Sequence, residues 1–137
     1  MHSVASEIFT LEYNSFQRVL VARWLQPTEL ADIKASYEAI LAAAQANENC
    51  RHWLLDIRRR SVGDTAGLEW FRHEFSGRLL PTLGGPVFIA YFAMINQADA
   101  LQLAGVRDSI AEGEASGGHY HYFNREDEAL AWLAKQP

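Results

Sequence analysis

Two short apolar runs constrain this chain more than anything else in it. They are Trp53 to Ile57 (WLLDI) and Val87 to Met94 (VFIAYFAM). A strand with one wet face alternates apolar and polar residues, whereas a strand buried on both faces reads as a nearly continuous apolar run. Two such runs require a sheet covered on both sides, and in this chain the intervening segments supply helical patterns. Leu30, Ile33, Tyr37, Ile40, Leu41 and Ala44 recur at helical spacing after Pro27-Thr28, with Thr28 read as the N-cap. Asp64 or Thr65 opens a second helix lined by Leu68, Phe71, Phe75 and Leu79, which Pro81 to Pro86 (PTLGGP) ends. Ala98 to Ala111 reads as a third helix and Gly113 to Gly118 as a loop. His119 to Phe123 (HYHYF) reads as a strand, and Arg125 to Ala134 as a last helix capped by Asn124.

Ahead of all this, Ile8 to Tyr13 and Arg18 to Leu25 form two strands around the turn signal Asn14-Ser15, close enough for an antiparallel hairpin. The predicted order is ββαβαβαβα. It implies an α/β fold with a mostly parallel five-stranded sheet, right-handed crossovers and the first strand as an antiparallel edge. The 137 residues suit one domain.

Charge and cysteine narrow the function classes. Twelve basic residues against seventeen acidic give a net charge of −5, a poor match to general nucleic-acid binding. Ten of the twelve basic residues are Arg, with only Lys34 and Lys135 beside them. Arg suits planar, bidentate anion contacts. Cys50 is the sole cysteine, so an intramolecular disulfide is excluded. Met1 to Glu7 lacks the basic and apolar regions of a signal peptide, and Pro86 to Ile95 is too short to span a bilayer. The expected setting is cytoplasmic.

The opening hairpin Phe9 to Leu25, the strand Trp53 to Arg58 ending in Asp-Ile-Arg, and the closing Tyr122 to Leu133 (YFNREDEALAWL) together carry a resemblance. Over its whole length the chain resembles the STAS-type fold of anti-sigma-factor antagonists and, more narrowly, the bacterial SpoIIAA-like proteins. The resemblance implies a regulatory or protein-interaction role. In antagonists of this family a phosphorylatable Ser or Thr follows the Asp that ends the third strand. Here Asp56 is followed by Ile57, Arg58, Arg59 and Arg60, and the first hydroxyl is Ser61. The usual switch residue is missing, so no kinase partner is carried over.

The loop Arg58-Arg59-Arg60-Ser61 is the best candidate anion site, because ligands in open α/β sheets bind beyond the carboxyl ends of the strands. Three Arg at a helix start can hold a carboxylate or phosphate, with Arg72 helping from the next helix. The alternative is a solvated loop pairing with Asp64 and Glu69. Asp56 is either a base with a raised pKa or an acceptor for the next turn. Trp70 is either a partner's anchor or a boundary residue between helices. His119 and His121 point to one face, without the further ligands a metal needs. No hydrolase elbow, phosphate-binding glycine motif, metal set or cofactor motif is present.

Three function classes follow. The leading one is a non-enzymatic regulatory or interaction module, expected to form a homodimer and to bind a regulatory protein. The second is a binder of a small amphipathic anion, acyl or lipid-like, held between sheet and helices. The third, an enzyme using Asp56 or a His as base, has no constellation to support it.

Overall fold

A computed structural model describes residues 3–60, 65–94 and 118–137. Its sheet has six strands: β1 (Ser3–Ala5), β2 (Phe9–Asn14), β3 (Val19–Trp24), β4 (His52–Asp56), β5 (Val87–Phe92) and β6 (Gly118–Phe123). They lie side by side in sequence order. β2 runs antiparallel to both of its neighbours, β1 and β3, and β3 through β6 are parallel. The α/β class and mostly parallel sheet are as expected. Two points differ. There are six strands rather than five, and β1 rather than the hairpin's first strand forms the antiparallel edge. Ser3–Ala5 is too short to show a period, so pairing with β2 alone defines it.

The helices are α1 (Leu30–Ala46), α2 (Thr65–Trp70), α3 (Leu79–Leu83) and α4 (Glu126–Ala134). Right-handed crossovers between successive parallel neighbours put their helices on one face of the sheet. Accordingly α1 packs with both α2 and α3. This face buries Leu20, Trp24, Trp53, Leu55, Ile89 and Tyr91, together with Ile33, Tyr37 and Ile40 of α1. α4 follows the last strand and is not a crossover. It covers the other face, packing Ala129 and Leu133 on Val19, Val21, Leu54, Phe88 and Ala90. β4 and β5 therefore lie between two layers, which accounts for their apolar runs. Each fully buried Leu or Ile here contributes about 1.5–3 kcal/mol by leaving water.

Local chemistry adjusts several boundaries. Thr28 does not cap α1: its Oγ1 donates to the Gln26 carbonyl at 2.8 Å, and Glu29 holds the cap position without a side-chain bond. Leu30, expected inward, is 37% exposed. The second helix is not continuous. After α2 it widens into a π-helical turn at Phe71–Phe75 and tightens into a 3₁₀ turn at Ser76–Arg78 before α3. Pro81 lies inside α3, early enough that few of its neighbours need its missing N–H. The break comes at Gly84, whose φ of 76° closes α3 in the left-handed region. Gly118 is in β6 rather than in a loop. Arg125, not Asn124, occupies the cap position of α4. The helix expected over Ala98 to Ala111 lies outside the described residues.

Candidate functional site

The carboxyl ends of β3, β4, β5 and β6 carry the candidate site. Alternation along β4 sends Trp53 and Leu55 to the α1 face, and Leu54 and Asp56 to the α4 face. The parallel register sets Arg23 beside Asp56, Asp56 beside Phe92, and Phe92 beside Phe123. One row across the α4 face thus runs Arg23, Asp56, Phe92, Phe123.

Past Asp56 the chain turns at once. Ile57 N–H still reaches the Phe92 carbonyl at 2.9 Å, extending the ladder by one bond. Arg60 N–H then donates to the Ile57 carbonyl at 3.1 Å and closes a turn. That turn decides where the three arginines go. Arg58 folds back onto the α4 face. Its Nε and Nη2 donate to Asp56 Oδ1 and Oδ2 at 3.0 and 2.9 Å, and its backbone N–H donates to Oδ1 at 3.2 Å. The guanidinium lies 4.0 Å from the centre of the Phe92 ring. Arg59 projects outward and is exposed. Arg60 passes to the opposite face and is buried, stacked 4.7 Å above the Trp24 ring, with Nη1 donating to the Tyr37 hydroxyl at 3.4 Å.

The predicted convergence of Arg58, Arg59 and Arg60 on one anion does not occur. Adjacent residues leaving a strand through a tight turn face different ways, and each end of this turn finds a separate partner. Ser61, and Asp64 as a partner of the loop, lie outside the described residues. Arg72 is in the π-helical turn, where its Nη2 donates to His73 Nε2 at 3.2 Å. Trp70 takes the boundary role. It is half-buried and packs on Tyr37 and Phe75 at 5.7 and 5.1 Å, with Lys34 Nζ 6.0 Å from its ring.

Asp56 is the buried carboxylate of this site, and two cations hold it. Arg23 Nη1 donates to Oδ2 at 3.0 Å, and the other end of that guanidinium meets Glu126 Oε1 at 2.6 Å, at the start of α4. Burial alone raises the Asp56 pKa, but the bonds from Arg58 and Arg23 outweigh it and hold the carboxyl below the ordinary aspartate value. Asp56 is therefore an ionised acceptor for the following turn, not a base with a raised pKa. Burial works against the charge of Arg23, yet Glu126 and Asp56 raise its pKa. The result is a chain, Glu126–Arg23–Asp56–Arg58, that ties β3, β4 and α4 together.

The residues that sequence reasoning missed are Arg23, Glu126 and the tyrosines. Arg23 carried a signal, being the one charge in the otherwise apolar strand β3, but its pairing with Asp56 needed the register. In HYHYF the histidines drew attention, whereas the same alternation places Tyr120 and Tyr122 together on the α1 face. There Tyr91 stacks on Tyr122 at 5.0 Å, and Tyr37 touches Phe71 and Phe75 at 5.0 and 5.4 Å. His119 and His121 share the α4 face as expected. His119 stacks on Phe88 at 4.9 Å and His121 packs on Trp132 at 4.9 Å. Among the described residues no group of three or more His, Cys, Asp or Glu could hold a metal ion.

At the opposite ends of the strands, a hollow of about 250 Å³ is lined by Tyr13, Arg18, Glu48, Cys50, Arg51 and His52 among others. Cys50 and His52 do not form a nucleophile and base. The thiol points to the Arg18 and His52 carbonyls, while the His52 ring meets the Pro137 carbonyl oxygen at 3.0 Å. Burial pushes the Cys50 thiol up, away from thiolate.

No family model, no curated protein and no solved structure matches the chain. Among the described residues no helix is long and apolar enough to cross a membrane.

Proposed function

We propose that this chain is a non-enzymatic regulatory or interaction module with a STAS-like fold, acting as a homodimer in the cytoplasm. The observation that carries the reading is the clamp on Asp56. The buried carboxylate at the end of β4 is where an α/β enzyme would keep its base. Here both oxygens are taken by Arg58 and Arg23. Ionised and bonded in this way, Asp56 holds the turn from Ile57 to Arg60 in one shape. A fixed surface turn is what an interaction module presents to a partner. The reading rests also on the resemblance to the SpoIIAA-like proteins carried by the opening hairpin, the strand ending in Asp56-Ile57-Arg58 and the closing β6–α4 segment.

Native mass spectrometry of the gently purified full chain tests the reading. A doubled mass that persists on dilution is the expected result. A monomer at every concentration overturns the homodimer.

A further inference from the structure

The hollow at the amino ends of the parallel strands holds charge that the Asp56 clamp does not use. Its volume of about 250 Å³ suits a ligand smaller than a drug. Two arginines line it, Arg18 from the β2–β3 hairpin and Arg51 from just before β4. Arg23, Arg58, Arg78 and Arg125 all bind carboxylates of the chain, whereas Arg18 and Arg51 make no ion pair among the described residues.

Both arginines are positioned. A Cβ on Gly85 would collide with Nη1 and Cζ of Arg51, so that guanidinium rests in space that only glycine leaves open. Its Nη1 also donates to the Pro86 carbonyl at 3.4 Å. The Cys50 thiol donates to the Arg18 carbonyl at 3.5 Å and pins the end of the hairpin beside β4.

Backbone strain gathers at the same place. Arg18, Glu48 and Asn49, with φ of 57°, 58° and 56°, are the non-glycine residues in the left-handed region among the described ones. All three line the hollow. Asn enters that region readily, but Arg and Glu do so at a cost, and strained residues cluster at ligand sites.

Charge narrows the ligand. α1 ends here at Asn47, and the negative end of its dipole counts for about half a charge. Glu48 adds one more negative charge, while His52 and Pro137 are engaged with each other. Two guanidiniums outweigh this by about half a charge, which matches a monoanion better than a phosphate dianion. Burial raises the Tyr13 phenol above its ordinary value, so it is protonated and able to donate. Glu48 and Asn49 offer acceptor oxygens beside these donors.

We infer that this hollow binds a small hydroxycarboxylate. Arg18, Arg51 and the Tyr13 hydroxyl take its carboxylate, and its hydroxyls donate to Glu48 and Asn49. The site lies at the other ends of the strands from the Asp56 clamp and does not depend on the chain being a homodimer.

NMR titration of the full chain with sodium glycerate tests the inference. Glycerol lacks the charge, propionate lacks the hydroxyls, and glycerol 3-phosphate carries a dianion. Glycerate is expected to bind about tenfold more tightly than glycerol or propionate, and more tightly than glycerol 3-phosphate. Arg18→Gly removes the guanidinium at a positive φ that glycine adopts freely, so the unliganded variant should melt close to the parent. It should bind glycerate about tenfold more weakly. Gly85→Ala keeps every charge but pushes the Arg51 guanidinium aside, and should weaken binding about fivefold without unfolding the chain. Glycerate binding no tighter than glycerol or propionate overturns the inference, as does tighter binding of glycerol 3-phosphate. So does either folded variant binding glycerate as tightly as the parent.

Discussion

Arg58 and Arg60 are two residues apart and of one type, yet they do different work. Arg58 is a half-exposed partner of an ionised carboxylate, shared with Arg23 and resting on Phe92. Arg60 is buried on the opposite face of the sheet, over Trp24 and against Tyr37. The turn closed by Arg60 N–H and the Ile57 carbonyl separates them. One face of the strand ends is thus a closed ionic clamp, and the other is an aromatic layer around Trp24 and Tyr37. A run of like charges in sequence is not one site when the backbone beneath it reverses.

The largest effect should come from the clamp. Asp56→Ala strands Arg23 and Arg58 and should cost about 2–3 kcal/mol in urea unfolding. That is less than the loss from a fully buried pair, because both arginines are partly exposed. The same clamp has a pH signature. The folded-state pKa of Asp56 lies below its unfolded value of about 3.9. Its stabilisation is therefore complete above that value and is lost as the pH falls through the lower, folded one. The stability difference between the parent and Asp56→Asn should be flat from pH 7 to about 5 and shrink on further acidification. A difference that grows with acid would mean the carboxyl is protonated in the folded state.

Pairing the substitutions sharpens the contrast between faces. Arg58→Ala and Asp56→Asn should couple by about 1 kcal/mol in a double-mutant cycle, because they remove the same bonds. Arg60→Ala should itself cost about 1–2 kcal/mol, through lost stacking on Trp24. Combined with Asp56→Asn it should be additive within about 0.5 kcal/mol, since the two act on opposite faces. Strong coupling there would show that the faces are one unit. The smallest effect belongs to Arg59→Ala, at a solvent-exposed side chain, within about 0.5 kcal/mol of the parent.

Much of this was legible beforehand. The buried runs at β4 and β5, the α1 stripe from Ile33 to Ala44, the hairpin and the closing helix all follow from period and composition. The misreadings have physical causes. Phe71, Phe75 and Leu79 keep a helical spacing, but a π turn followed by a 3₁₀ turn preserves such spacing while changing the bonds beneath it. Asp56 stood out as an odd charge at a strand end, and its two partners differ in how visible they were. Arg58 is two residues away. Arg23 is 33 residues away, and only strand register brings it alongside.

By itself the sequence determined the α/β class, the parallel core and the place where a site belongs, because burial and backbone period are local properties written residue by residue. Only the tertiary structure decided that Arg58 and Arg60 part company, that Asp56 stays ionised, and that Arg60 is buried over Trp24 against Tyr37. Those outcomes depend on register and on which face a turn delivers a side chain to, and both are set by contacts between segments far apart in the chain.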